Sequence, residues 1–194
     1  MPRTSYHHGD LRTALLRAGR EALMVGQVES LSLRELSRTV GVTATAAYRH
    51  FRNKEELLEA IAIAGFGELR EVLRAAGATG HGVPTLEALV VAYGTFAHAH
   101  ADLMRLMFQP RARGKGSQSK FPDAAGECLA EFVVAAAATE AGDDPEAAIR
   151  AAVLVWSAVH GIAILAEANA LVTLDKWMLP SAQDLAAIGA RARR

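Results

Sequence analysis

The segment 31–51, LSLRELSRTVGVTATAAYRHF, leaves its backbone few choices. Ser32 and Glu35 are three residues apart, the spacing of a capping box, which bonds amides that the first turn of a helix would otherwise leave unsatisfied. Leu33, Leu36 and Val40 then give a short helix one apolar face. Gly41 ends it, because glycine enters the left-handed conformation without a Cβ clash. Thr43 caps the next helix, which is predicted to end near Phe51 or Arg52. Two short helices cross closely only where a small side chain sits at the contact, and Ser37 is that side chain. The spacing therefore predicts a helix-turn-helix with Leu36, Val40, Val42, Ala47 and Phe51 as its shared core.

This arrangement leaves Thr43, Ala44, Thr45, Tyr48 and Arg49 exposed on the second of the two helices, with Ala46 and His50 at the edges. A helix lying deep in a DNA major groove needs small residues at the base edges. Its flanks need donors for the phosphates, and Tyr48, His50 and Lys54 are placed to supply them. The amino end of the following helix, capped by Asn53 with Glu56, adds backbone amides. The same side chains could simply cover a helix junction. The agreement of capping box, small residue, turn glycine and donor cluster favours the nucleic-acid reading. Charge points the same way: residues 1–54 hold nine Lys/Arg against four Asp/Glu, a balance of +5 on a chain of zero net charge.

The rest of the chain reads as helices. Asp10 is predicted to cap a first one, with Leu11, Leu15, Leu16, Ala18, Ala22 and Leu23 as apolar positions and Gly26 just beyond. The fourth helix repeats Leu57, Leu58, Ile61, Gly65, Leu69, Val72 and Leu73 at spacings of three and four and reaches about Ala76. A Gly-rich connection, AGATGHGVP, follows. Further helices are predicted over about 85–99, 101–109, 123–139 and 144–171, and from Pro180-Ser181 to the C-terminus. The segment QPRARGKGSQSKFPD, 109–123, has no apolar period and reads as a basic loop. The predicted fold is all-α with about nine helices: a helix-turn-helix domain over 1–54, then a C-terminal helical domain over 55–194.

Several function classes are set aside by the residues themselves. The single cysteine, Cys128, excludes an internal disulfide and a cysteine-based zinc site. MPRTSYHHGD has no apolar core of a signal peptide, and the apolar run 151–166 is short for a span and contains Ser157, His160 and Gly161. The chain is expected to be cytoplasmic with no membrane partner. His98 and His100 are two apart and cannot share a helix face, so no metal site is expected. No nucleophile–base spacing or phosphate loop is present, so neither a cofactor nor catalysis is expected; a helical enzyme using His98 and His160 is the weakest reading.

LSLRELSRTVGVTATAAYRHFRNKEELLEAIA resembles the DNA-binding segment of the TetR family of transcriptional regulators. The most specific part is Tyr-x-His-Phe-x-x-Lys-x-x-Leu, here Tyr48, His50, Phe51, Lys54 and Leu57, and the resemblance covers residues 7–65. It implies a nine-helix protomer that dimerises on double-stranded DNA, with a C-terminal domain that binds a small inducer. It also implies phosphate contacts for Thr43, Tyr48, His50 and Lys54 and base contacts for Ala44, Thr45 and Arg49. Ala47 departs from the larger apolar residue usual there. Ala44 and Ala46 have no polar group, so thymine-methyl contacts are expected of them and guanine recognition of Arg49. TSYHHGDLR resembles the arm of one TetR subgroup, in which Arg3, His7 and His8 would follow the DNA. VLVWSAVHGIAIL resembles that subgroup's Trp-His-Gly signature at Trp156, His160 and Gly161.

The eighth helix is apolar nearly all round. Ile149, Val153, Trp156, His160, Ile164 and Glu167 share one face; Arg150, Leu154, Ser157, Gly161 and Leu165 share another. A helix buried on two sides needs two partners. One is its own domain. The other is expected to be a second subunit packed on Arg150, Leu154, Ser157, Gly161 and Leu165. The resemblance places a mostly apolar effector cavity between helices four to eight. Phe66, Phe96, Met104, Met107, Phe132, Trp156 and His160 are the candidates to line it. His160 either gives that cavity one hydrogen bond or satisfies a carbonyl in the core. Two readings stay open: a ligand-responsive dimeric repressor with a palindromic operator, and a DNA-binding dimer whose C-terminal domain binds no ligand.

Overall fold

A computed structural model describes residues 8–24, 31–77, 84–109, 120–138, 144–170 and 180–191. Among these residues are nine helices and no strand. They are α1 (His8–Met24), α2 (Leu33–Val40), α3 (Ala44–Tyr48), α4 (Lys54–Gly77), α5 (Leu86–Ala99), α6 (Ala101–Phe108), α7 (Phe121–Ala137), α8 (Pro145–Glu167) and α9 (Ala182–Arg191). The all-α expectation holds. Most of the basic loop 109–123 and of the Gly-rich connection lies outside the described residues, as do Arg3, His7 and Gly26.

Packing divides the chain into two compact units. One comprises Met1–Gly65 with Asp102–Ser117, and the other Phe66–Ala101 with Gln118–Arg194. The division falls inside α4. The reason is local. A Cβ on Gly19 of α1 would stand 2.8 Å from Ile61 Cδ1 and 3.7 Å from Leu57 Cδ2, so the first half of α4 is pressed onto α1. α6 joins the same unit at Gly65, where a Cβ would meet Met107 Sδ at 2.8 Å and Leu103 Cδ1 at 3.0 Å.

In this first unit α1 buries Leu11, Leu15, Ala18 and Leu23. It begins at His8, so Asp10 lies in its first turn and not at the cap. α6 buries Leu103, Met104, Leu106 and Met107.

The second unit is built around α8, which packs against α5, α7 and α9. Asp144 caps α8 by accepting from the Glu146 and Ala147 amides, with Pro145 in the first turn. The helix stops at Glu167, short of the predicted 171, and Asn169 just beyond adopts a positive φ of 54°. Its buried stripe is Ala147, Ala148, Ala151, Ala152, Val155 and Val159. Small side chains let neighbouring helices come close, and Gly189 does the same for α9: a Cβ there would lie 3.1 Å from Val155 and 3.2 Å from Leu86. The second half of α4 is tied to α7 through Glu131, which accepts from Arg70 Nε at 3.0 Å and Arg74 Nε at 2.9 Å. The Cys128 thiol is buried and donates to the Phe66 carbonyl, and burial pushes it up to about 12, which keeps it unreactive.

One sequence assignment needs correcting. Ile149, Val153 and Ile164 were grouped with Trp156 and His160 on the face toward their own domain, yet all three are exposed. The alanine stripe occupies the inward direction because it permits the tighter helix contact. α8 is also long and apolar enough, by length and composition, to cross a bilayer, although the apolar run within it looked too short. Its inward stripe is instead part of the helical core.

Candidate nucleic-acid interface

The helix-turn-helix is held by the bonds its spacing predicted, with one change. Ser32 Oγ accepts from the Glu35 amide at 3.1 Å. The Glu35 carboxylate does not return to the Ser32 amide; it accepts from the Ser32 hydroxyl at 3.0 Å. At the other end Gly41 has φ +77°. Its N–H donates to Arg38 O, and the Val42 N–H donates to Ser37 O at 2.8 Å, closing the last turn of α2. Ser37 is buried at the α2–α3 contact and its hydroxyl donates to Arg34 O at 2.8 Å, so burial leaves no polar group unsatisfied there.

α3 is shorter than predicted. Its regular part closes at Tyr48, but the His50 and Phe51 amides both donate to Ala47 O, at 3.0 and 3.1 Å, which carries the turn on to Phe51. Ala47 and Phe51 are fully buried. The Arg12 guanidinium lies 5.1 Å from the Phe51 ring centroid, a cation–π contact that fixes α1 over the end of α3.

The outer surface of α3 carries Thr43, Thr45, Tyr48 and Arg49 exposed, with Ala44, Ala46 and His50 half-buried. Thr43 Oγ1 accepts from the Ala46 amide at 3.3 Å as the cap, which leaves its hydrogen for a second acceptor. Tyr48, 46% exposed, is a large aromatic donor standing out from the surface. Lys54 begins α4 and is half-buried.

Two members of the dense donor run are committed elsewhere. Glu56 accepts from the Arg52 amide at 2.8 Å and Arg52 Nε at 3.0 Å, and its own amide donates to Asn53 Oδ1 at 2.8 Å. The Arg52 amide is the main reason the Glu56 carboxyl lies below its usual range, with slight burial opposing it. Arg52 and Asn53 therefore shape the α3–α4 junction. The first turn of α4 also carries Glu55 and Glu56, which weaken its pull on a phosphate.

The effector candidates are distributed over both units. Met104 and Met107 belong to the core of the first unit. Phe66 meets Phe121 edge-on at 5.4 Å, and Phe96 packs on His100 at 4.7 Å. Phe132, Trp156 and His160 gather around Tyr93, a residue the sequence did not single out. Phe132 stacks on Trp156 at 6.0 Å, and Tyr93 meets both edge-on. The Tyr93 hydroxyl lies 2.8 Å from His160 Nδ1. Burial holds His160 below the usual imidazole range and raises Tyr93, the latter partly offset by the Trp156 side chain. A neutral imidazole with Tyr93 O–H donating to Nδ1 fits both directions. His160 Nδ1 thus satisfies the Tyr93 hydroxyl. Tyr93 was legible only as one of several apolar positions at helical spacing.

A pocket of about 480 Å³ lies elsewhere in the second unit, lined by α5 and α8 residues that include His98 and Glu167. No cluster of ligating side chains that could hold a metal occurs among the described residues. The expected dimer residues Arg150, Leu154, Ser157 and Leu165 are exposed and Gly161 is half-buried.

A short helix pair locked at a glycine turn and presenting a small, donor-flanked outer face defines the class: an all-α protein with a helix-turn-helix. Comparison with known proteins defines it further. Residues 15–61 match the family model described as bacterial regulatory proteins, tetR family, and residues 86–185 match the tetracyclin repressor-like C-terminal domain. A protein of unknown function from Rhodococcus sp. RHA1 is 31% identical, with TM-score 0.77 over 99% of this chain and 98% of its own. A TetR/AcrR-family transcriptional regulator from Thermobifida fusca is 21% identical, with TM-score 0.60 over 95% and 97%. A singly substituted TetR from Acinetobacter baumannii, solved in complex with minocycline, is 19% identical, with TM-score 0.57 over 93% and 91%. No curated protein matches the sequence significantly. The chain belongs to the TetR family: it is a transcriptional regulator with an N-terminal DNA-binding domain, and not an enzyme.

Proposed function

We propose that the protein is a homodimeric, ligand-responsive repressor that holds a palindromic operator and releases it when a small, mostly apolar inducer binds. Residues 1–54 form the DNA-binding domain and 55–194 the effector and dimerisation domain. Ala44, Thr45 and Arg49 face the bases, and Thr43, Tyr48, His50 and Lys54 hold the phosphates. The protein works in the cytoplasm. Trp156, His160 and Gly161 place it in the Trp-His-Gly subgroup.

The observation that carries dimerisation is the outer face of α8. Ile149, Val153, Leu154, Ile164 and Leu165 are each 39–49% exposed along one helix. A continuous apolar stripe of that length is unfavourable in water and marks an interface. Arg150, Ser157 and Gly161 complete it. No described residue stands within 4 Å of where a Gly161 Cβ would be, so packing among the described residues does not require glycine there, whereas close approach of a second α8 would use it. Dimerisation makes two recognition helices, and hence a two-fold symmetric operator with half-sites about one helical turn or a multiple apart.

A second reading, a DNA-binding dimer that takes no ligand, draws support from the packed state of Phe66 and Phe132, which are buried in the core. Selection of random duplex DNA on the purified protein, followed by a screen for compounds that release the selected duplex, separates the two. A near-palindrome released by an inducer supports the repressor. A near-palindrome that no compound releases favours the second reading, and absence of any enriched sequence removes the operator proposal.

A further inference from the structure

The pocket between α5 and α8 has a structural origin in the sequence of both helices. Upstream, Leu89, Tyr93 and Val155 are large and buried and hold the helices apart. Downstream, the facing residues shrink: Gly94, Ala97 and Ala101 from one side, Ala163 and Ala166 from the other, with Val159 and Ile162 completing an apolar wall. Helices spaced by large side chains at one end and lined by small ones at the other leave a gap. The gap measured is about 480 Å³, within the range of small-molecule sites.

Gly94 is the informative residue. It lies in the interior of α5, where glycine is less favourable than alanine. No positive φ requires it, and no atom lies within 4 Å of where its Cβ would be. The glycine therefore leaves space on the pocket wall that no described residue fills. The polar residues lining the pocket are His98, exposed on α5, and Glu167, half-buried at the end of α8.

We propose that this pocket, and not the Phe132–Trp156–His160 cluster, is the ligand site, and that it takes a small apolar amine whose cationic nitrogen sits at Glu167 and His98. An apolar body matches the alanine and isoleucine walls, and a cation matches the carboxylate at its edge. Around α8 the pocket residues Val159, Ala163 and Ala166 lie away from Leu154, Gly161 and Leu165, so the ligand and a second subunit can be held at once. The assignment deepens the reading of the protein as a ligand-responsive repressor and rests on it for its regulatory meaning, but the binding itself is measured without DNA.

The test uses the full chain and three probes sharing one ring system: 1-naphthylmethylamine, 1-naphthalenemethanol and 1-naphthoic acid. Calorimetric titration is expected to give the amine at least tenfold tighter binding than the alcohol, with the acid weakest. Glu167→Gln should reduce the amine to the affinity of the alcohol and leave the alcohol unchanged. Gly94→Phe fills the pocket and should abolish binding of all three, and Ala166→Leu does the same from α8 if Gly94→Phe fails to fold. Equal binding of amine and acid, or undiminished binding in a folded pocket-filling variant, overturns the assignment. If the amine binds as stated but does not release the selected duplex, the site stands and the ligand-responsive reading falls.

Discussion

Arg49 and Lys54 sit five residues apart near the end of one short helix and the start of the next, and their proposed roles separate by what each can read. Arg49 is exposed on the outer face of α3, where a guanidinium reaches a base edge. Lys54 opens α4 and meets a phosphate, which carries no sequence information. Lys54→Ala is expected to weaken binding to all duplexes and to lower the salt slope by about one. Arg49→Ala is expected to relax preference at one base position by about 1–3 kcal/mol. Binding measured across salt concentrations and single-base operator variants distinguishes them; uniform weakening by Arg49→Ala would reassign it to the backbone. His160 offers a residue-scale prediction of another kind. Its folded pKa is depressed by burial, so the unfolded chain binds the extra proton first. The stability this group contributes is complete above the ordinary imidazole value of about 6.5 and is lost as pH falls from there through the folded value. His160→Gln should flatten that part of a denaturation-versus-pH profile.

At the scale of elements, the turn between α2 and α3 is a conformational requirement and not a steric one. Gly41 has φ +77° with nothing within 4 Å of its Cβ position. Gly41→Ala should therefore destabilise the domain by about 1–2 kcal/mol through backbone strain alone, and Gly41→Asn by less, because asparagine tolerates the left-handed region. Equal losses for the two, read from denaturant midpoints, would show that space matters after all. Gly65 is the opposite case. Its Cβ position is occupied by Met107 and Leu103, so Gly65→Val should push α6 from α4 and cost about 1–3 kcal/mol. Capping rules mark Gly41 as a left-handed helix end, and the helical repeat places Gly65 inside α4. Only the neighbours across the packing show that Gly65 is needed for contact.

For the whole molecule, the exposed stripe on α8 carries the proposal of a dimer. Leu154 and Leu165 are 45% and 46% exposed and flank Gly161. Placing a carboxylate at either would bury an unpaired charge in the proposed interface. Leu154→Glu with Leu165→Glu should yield a protomer that sediments as a monomer, keeps its helical content and binds duplex DNA with the affinity of a single half-site. Sedimentation velocity checks the first expectation and far-ultraviolet dichroism the second. A double variant that remains dimeric would move the interface off this face.

The sequence by itself determined the local order of this protein. The all-α class, the helix-turn-helix, the caps at Ser32, Thr43 and Asp144, and the exposed face of α3 all follow from interactions over three or four residues. Such interactions are complete within the segment that makes them, and Tyr48, His50, Phe51, Lys54 and Leu57 were legible for that reason. Tertiary structure decided what depends on partners distant in the chain. It chose which stripe of the nearly uniform α8 turns inward, because alanines permit closer helix contact than Ile149 or Val153. It joined Tyr93 to His160 across 67 positions. It also packed the aromatic residues that looked like a cavity and opened a pocket where alanines and a glycine face one another, because empty space between helices depends on the size of side chains from both, which a single segment does not record.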